Sequence, residues 1–303
     1  MKHNRIQFEL WSDCNNRCNF CYLNNIITPE SEKLQNIEFA IKNTPKYIED
    51  GYNEFSIMGG ELFQGQISKN IRCKFFEYIK SIKTLLGQDK ITQFQINCTL
   101  TSSNQDDLFE ILEILKDYQN KLWIATSYDT IGRFHNPQTE SNWENNILKI
   151  KNLYKDIHVN TNMIITGDLI DKIIYSQFNI MKFSQDFKTY ISFTPPAVKR
   201  IGGKILINQY MDEKIKLQNE IPNFFPTREN FIKFLIYLHS QNFDFDKIIN
   251  DENRARVLIN NNFVDNRDKP LYVECKHNIC YHGYIDSHKC MVCDKINLGK
   301  RFK

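Results

Sequence analysis

Ile6-Gln7-Phe8-Glu9-Leu10-Trp11-Ser12-Asp13-Cys14-Asn15-Asn16-Arg17-Cys18-Asn19-Phe20-Cys21-Tyr22 joins a strand-like run, Ile6 to Trp11, to a cysteine cluster of the form C-x3-C-x2-C. Cysteine thiolates are the usual ligands of iron–sulfur clusters, four to a cluster. Three of them, Cys14, Cys18 and Cys21, can grip three irons of a cubane and leave the fourth open to an exogenous ligand. The same three cysteines also suit half of a zinc site completed by a distant His or Cys. What surrounds the cluster therefore decides its meaning.

Working outward, strand-like and helix-like segments alternate as far as about Pro196. The strand candidates are Ile6–Trp11, Glu54–Met58, Thr92–Thr99, Leu122–Ser127, His158–Ile165 and Thr189–Phe193. Helical patterns fill the gaps at Ser31–Glu49, Ser68–Leu86, Gln105–Tyr118, Ser141–Tyr154 and Leu169–Phe183. Strands alternating with helices of this length predict parallel β–α units with right-handed crossovers. Six such units predict an α/β fold of the open, partial (β/α)6 barrel type, with its chemistry at the carboxyl ends of the strands. Residues 1–200 form this core, and 201–270 read as a helical or irregular connecting region. A helix is expected after Thr227, with Phe231, Phe234, Leu235 and Leu238 on one face. Gly202 to Ile207 reads as a turn and a short strand, and residues 271–303 form a compact Cys/His tail.

Beyond the second predicted strand lies Met58-Gly59-Gly60-Glu61. Glycines allow a backbone to approach another group closely. A cysteine loop after the first strand and a GGE segment after the second, in a six-unit β/α chain, resemble the radical S-adenosylmethionine enzymes. The aromatic Phe20 before the third cysteine fits the same pattern. In that family the open iron is chelated by the amino and carboxylate groups of S-adenosylmethionine. The resemblance implies a [4Fe–4S] cluster on Cys14, Cys18 and Cys21, with Phe20 beside the cofactor and Gly59, Gly60 and Glu61 at the methionine amino group. It further implies that Ser127, at the end of the fourth strand, contacts the ribose or carboxylate, and that Asn162, in Asn160-Thr161-Asn162-Met163-Ile164-Ile165-Thr166, contacts the ribose. It covers residues 6–196 well and the tail only loosely. Asp129, Arg133 and His135 follow the fourth strand as candidates for positioning a substrate or moving a proton; the competing reading is a salt-bridged surface loop. Trp11 is read as core or cluster packing.

The tail carries Cys275, Cys280, Cys290 and Cys293 in a C-x4-C-x9-C-x2-C pattern, interleaved with His277, His282 and His288. Four cysteines in so short a span predict a metal site. It resembles a reduced auxiliary-cluster segment of the SPASM or twitch type. Both a second [4Fe–4S] cluster and a structural zinc ribbon stay open, since thiolates suit either metal.

The 303 residues are 41% hydrophobic and 25% charged, an ordinary soluble composition. A net charge of +3 with scattered lysines gives no polyanion-binding stripe. No apolar run approaches the roughly 18 residues that cross a bilayer, and the N-terminus lacks the apolar core of a signal peptide. A cytoplasmic location is expected, where the nine cysteines serve metals and not disulfides. Cys73 and Cys98 fall outside both clusters and are expected as small buried hydrophobes. The expected activity is hydrogen-atom abstraction from a peptide side chain or small metabolite, with an electron donor such as flavodoxin or ferredoxin as partner. Nucleotide or RNA modification is the alternative within enzymes. A non-catalytic zinc-ribbon interaction protein is the alternative outside them, and it leaves the GGE segment and the β/α pattern unexplained.

Overall fold

The computed structural model describes residues 5–21, 27–64, 67–194, 215–240, 256–259 and 262–265. Strands β1 (Arg5–Glu9), β2 (Glu54–Met58), β3 (Gln93–Asn97), β4 (Leu122–Ser127), β5 (His158–Ile164) and β6 (Tyr190–Thr194) run parallel, each hydrogen-bonded to the next. The helices between them are α1 (Glu30–Glu49), α2 (Lys69–Gly87), α3 (Asp106–Ile114), α4 (Pro137–Leu153), α5 (Gly167–Ile174) and α6 (Ile180–Phe187). The six strands are laid down in sequential order, with no reversal. Crossovers of one hand then place every helix on the same face of the sheet.

The strands show why only one face is apolar. They alternate, and the register aligns like with like across the sheet. Phe8, Phe55, Phe94 and Ile124 are fully buried on the helical side. Phe8 packs against Tyr47 of α1 and Tyr78 of α2, with ring centroids 6.2 and 6.3 Å apart. Trp143 of α4 donates its indole N–H to Thr126 Oγ1 of β4 over 3.1 Å. The opposite face carries Gln7, Ser56, Gln95, Asn97, Asn160, Asn162 and Ser192, which bond largely to one another. An all-parallel sheet covered on both faces would read as continuous apolar runs. This one is a one-sided sheet with a polar inner surface.

Several elements depart from the sequence reading, among them the helix read at Gln105–Tyr118, which ends at Ile114 and gives way to a 3₁₀ segment over Lys116–Lys121. The predicted helix Leu169–Phe183 is two helices, because Ser176 takes φ +58° and Asn179 caps a new start by accepting the Lys182 N–H over 2.9 Å. Helix α4 begins four residues before Ser141, at Pro137, where proline needs no N–H partner and Asn136 accepts the Thr139 N–H over 2.9 Å. Residues 201–270, read as helical or irregular, contribute two strands to the main sheet. β7 (Arg256–Ile259) adds parallel to β1 on its outer side, and β8 (Asn262–Asp265) pairs antiparallel with β7. A helical segment, α7, covers 215–220, and α8 (Arg228–Ser240) follows Thr227 as expected. Phe231, Phe234 and Leu238 of α8 are fully buried in the main core, and Phe234 meets Phe193 of β6 edge-on at 5.4 Å. The turn and strand read at Gly202 to Ile207 lie outside the described residues, as does the Cys/His tail.

Candidate active site

The cysteine loop leaves the carboxyl end of β1 and is held by the loops that follow β2, β3 and β4. The β1–β2 ladder continues past both strands: Leu10 N–H donates to Met58 O, Gly60 N–H to Trp11 O and Glu61 N–H to Asp13 O, at 2.8–2.9 Å. Gly60 is required there, since a Cβ would stand 2.2 Å from the Asp13 carbonyl oxygen. Glu61 is 1% exposed and ties the end of β2 to the end of β3. Its Oε1 accepts the Phe63 N–H over 2.9 Å and its Oε2 the Thr99 N–H over 2.6 Å. Trp11 is buried against Phe75 of α2 and donates its indole N–H to Glu61 O, as core packing requires. Asp13 anchors the far side of the loop, accepting from Lys33 Nζ at 2.9 Å and from the Thr28 N–H at 3.0 Å.

Asn16, inside the cysteine loop, organises its tip. Its Nδ2 donates to Cys18 Sγ over 3.1 Å and its backbone N–H lies 3.4 Å from Cys14 Sγ. Its Oδ1 accepts from Thr101 Oγ1, beyond β3, over 3.0 Å. The His135 Nε2 atom pairs with the Asn16 carbonyl oxygen. Arg133 donates through Nη1 to Cys18 Sγ over 3.7 Å and through Nε to Asp129 Oδ2. Asp129 Oδ1 in turn accepts the Ile164 N–H at the end of β5, over 2.7 Å. Arg133 and His135 thus reach the cysteine loop, and Asp129 holds Arg133; the Arg133–Asp129 pair is buried, with side chains 11% and 1% exposed, whereas His135 is exposed.

Phe20 lies between the Arg133 guanidinium, 5.4 Å from its ring centroid, and the stacked Phe224 ring at 5.5 Å. Gly132, at φ +79°, lets the two loops meet, since a Cβ there would stand 3.0 Å from Phe20 Cδ1. Ser127 and Asn162 are direct cross-strand partners at the ends of β4 and β5, on the polar face, and Asn162 Oδ1 accepts from Ser192 Oγ over 3.3 Å.

Burial pushes the Cys14 thiol up to about 11, and Glu61, Cys18 and Cys21 add to the rise. Burial raises Cys18 as well, opposed by the nearby Arg133 charge. Thiols whose ionisation is resisted by burial and by each other gain most from a cation among them. The N–H donors of Asn16 and Arg133 favour the charged sulfur in the same way. Among the described residues no three His, Cys, Asp or Glu side chains stand together as a single-ion site. A cubane takes one thiolate on each iron and so spreads its ligands more widely than one ion does.

Cys98 is buried, as expected, and Cys73 is not: it lies on the exposed side of α2. Cys275, Cys280, Cys290 and Cys293 lie outside the described residues. Sequence reading overlooked Asn16, Thr101, Asp13 and Gly132. Only Gly132, a glycine two residues beyond Thr130 in a predicted catalytic-end loop, carried a signal of its own. No helix among the described residues is long and apolar enough to cross a membrane. Compared with known proteins, the chain matches no family model and no curated protein.

Proposed function

We propose that this chain is a radical S-adenosylmethionine enzyme built on a partial (β/α)6 barrel. One observation carries the reading: three cysteines share a loop at the carboxyl end of β1, and the Gly59-Gly60-Glu61 segment after β2 is hydrogen-bonded to that loop. Cys14, Cys18 and Cys21 would hold a [4Fe–4S] cluster. When bound, cluster and S-adenosylmethionine together supply a 5′-deoxyadenosyl radical that abstracts hydrogen from a substrate C–H.

The chain's own part is to orient and to shield. Glu61 and Gly60 fix the loop backbone, while Asn16 and Arg133 present N–H groups to the sulfurs. Ser127 and Asn162 offer a hydroxyl and a carboxamide side by side for the ribose of S-adenosylmethionine. On the polar face beyond them Gln7, Ser56, Gln95, Asn97, Asn160 and Ser192 donate and accept but carry no charge, and the one carboxyl beside Gln7 on β1, Glu9, is buried and accepts from Ser12 Oγ. Arg5, at its lower end, is paired with Glu54 at 3.1 Å. Such a floor favours a peptide side chain or small polar metabolite over RNA, whose recognition rests on cationic phosphate contacts. Cytoplasmic residence, a flavodoxin- or ferredoxin-type electron donor, and a second cluster or zinc on the four tail cysteines belong to the same reading.

Iron, sulfide and zinc counted in anaerobically prepared protein test it, beside a variant with Cys14, Cys18 and Cys21 all changed to alanine. About eight irons falling to about four support two cubanes; about four falling to none, with one zinc retained, support one cubane and a structural ribbon. Iron unaffected by the triple change contradicts the assignment.

A further inference from the structure

Arg133 is more deeply placed than a substrate-steering residue needs to be. Its side chain is 11% exposed, with Nε on Asp129, Nη1 at 3.7 Å from Cys18 Sγ and the Phe20 ring at 5.4 Å. A buried cation is costly unless paired, and Asp129 provides the pairing. Yet the pair is asymmetric toward the cysteine: the guanidinium touches the sulfur, whereas Asp129 is turned toward Arg133 and the Ile164 N–H. Arginine stays charged at every working pH. In a site this enclosed, solvent screens the charge only weakly.

We propose that Arg133 is a fixed positive charge that raises the reduction potential of the centre carried by Cys18, and that Asp129 holds it in place while limiting the shift. The inference rests on the radical S-adenosylmethionine reading of the cysteine loop and adds to it a positioning pair that sets how readily the centre is reduced. The physical reason is direct. Reduction adds one electron from an external donor of the flavodoxin or ferredoxin class, with no bond made or broken at Arg133. A neighbouring cation stabilises the more negative product, so reduction becomes easier. Net charge and hydrogen bonds to the ligating sulfurs are known levers on cluster potentials. Asp129, of opposite sign and one step further from the sulfur, pulls the other way.

The test is an EPR-monitored redox titration of reconstituted wild-type protein and of Arg133→Gln, Arg133→Lys and Asp129→Asn, with iron content measured for each. Arg133→Gln is expected to move the potential to more negative values, and Arg133→Lys to restore most of the shift. Asp129→Asn, which keeps an oxygen for the Ile164 N–H, is expected to move it to more positive values. Opposite shifts from the two charge removals are what a packing role cannot produce. Shifts in the same direction, or none, with iron content intact, overturn the proposal. If Arg133→Gln cannot hold its iron, Asp129→Asn decides alone: an unmoved or lowered potential overturns the proposal. Wild-type protein that takes up no cubane overturns the family reading itself. A normal wild-type cluster with unshifted variants overturns only the role of the pair.

Discussion

Gly60 and Asp13 meet backbone to backbone, so that a Cβ on Gly60 would stand 2.2 Å from the Asp13 carbonyl oxygen. The contact locks the cysteine loop to the segment after β2, and it leaves no flexible side chain to yield. Gly60→Ala should therefore lower stability by about 1–3 kcal/mol, the usual cost of overpacking, and should cut iron retention with it. Thermal unfolding beside iron analysis checks this; an alanine variant as stable as wild type would show that the two loops separate freely.

Asn16 spends its side chain on two partners, Cys18 Sγ and Thr101 Oγ1. Asn16→Ala leaves the buried Thr101 hydroxyl without that acceptor and Cys18 without a donor. A loss of about 1–2 kcal/mol is expected for the unpaired groups, together with faster release of iron to a chelator. Unchanged release kinetics would confine Asn16 to loop structure.

Asn179 caps α6, where the sequence pattern suggested the middle of one long helix. Asn179→Ala should cost about 1 kcal/mol by loss of the N-cap. In a continuous helix the same change would be neutral or stabilising, since alanine is the better helix former. Urea denaturation distinguishes the two.

Burial pushes the Cys14 thiol up to about 11, so in metal-free protein its reactive thiolate is scarce near neutral pH. Alkylation at Cys14, mapped by mass spectrometry, should be slow at pH 8 and accelerate as the pH rises towards 11. Exposed Cys73 should be modified before Cys14. Rapid alkylation of Cys14 at pH 7 would mean that the loop opens in solution.

Much of this was legible in the chain because parallel units punctuate themselves. β2 and β4 begin and end where the alternating runs Glu54–Met58 and Leu122–Ser127 do, and α8 follows Thr227 with Phe231, Phe234 and Leu238 of its predicted apolar face buried. The α5–α6 break was hidden because Tyr175 and Phe178 continue an apolar pattern across the turn that Ser176 makes. β7 and β8 were hidden by their shortness, four residues each, in an Asn-rich stretch that reads as loop. At the site, local motifs marked the cysteines and the GGE segment, and the resemblance marked Asp129, Arg133 and His135. What no local pattern holds is tertiary: that Arg133 reaches back 115 residues to Cys18, and that Asn16 meets Thr101 85 residues on.

The most direct measurement is reductive cleavage of S-adenosylmethionine by the anaerobically reconstituted protein. With dithionite and no substrate, slow formation of 5′-deoxyadenosine and methionine is expected, abolished in each of Cys14→Ala, Cys18→Ala and Cys21→Ala. No cleavage by cluster-loaded wild-type protein, or cleavage retained when any of the three cysteines is removed, would contradict the account.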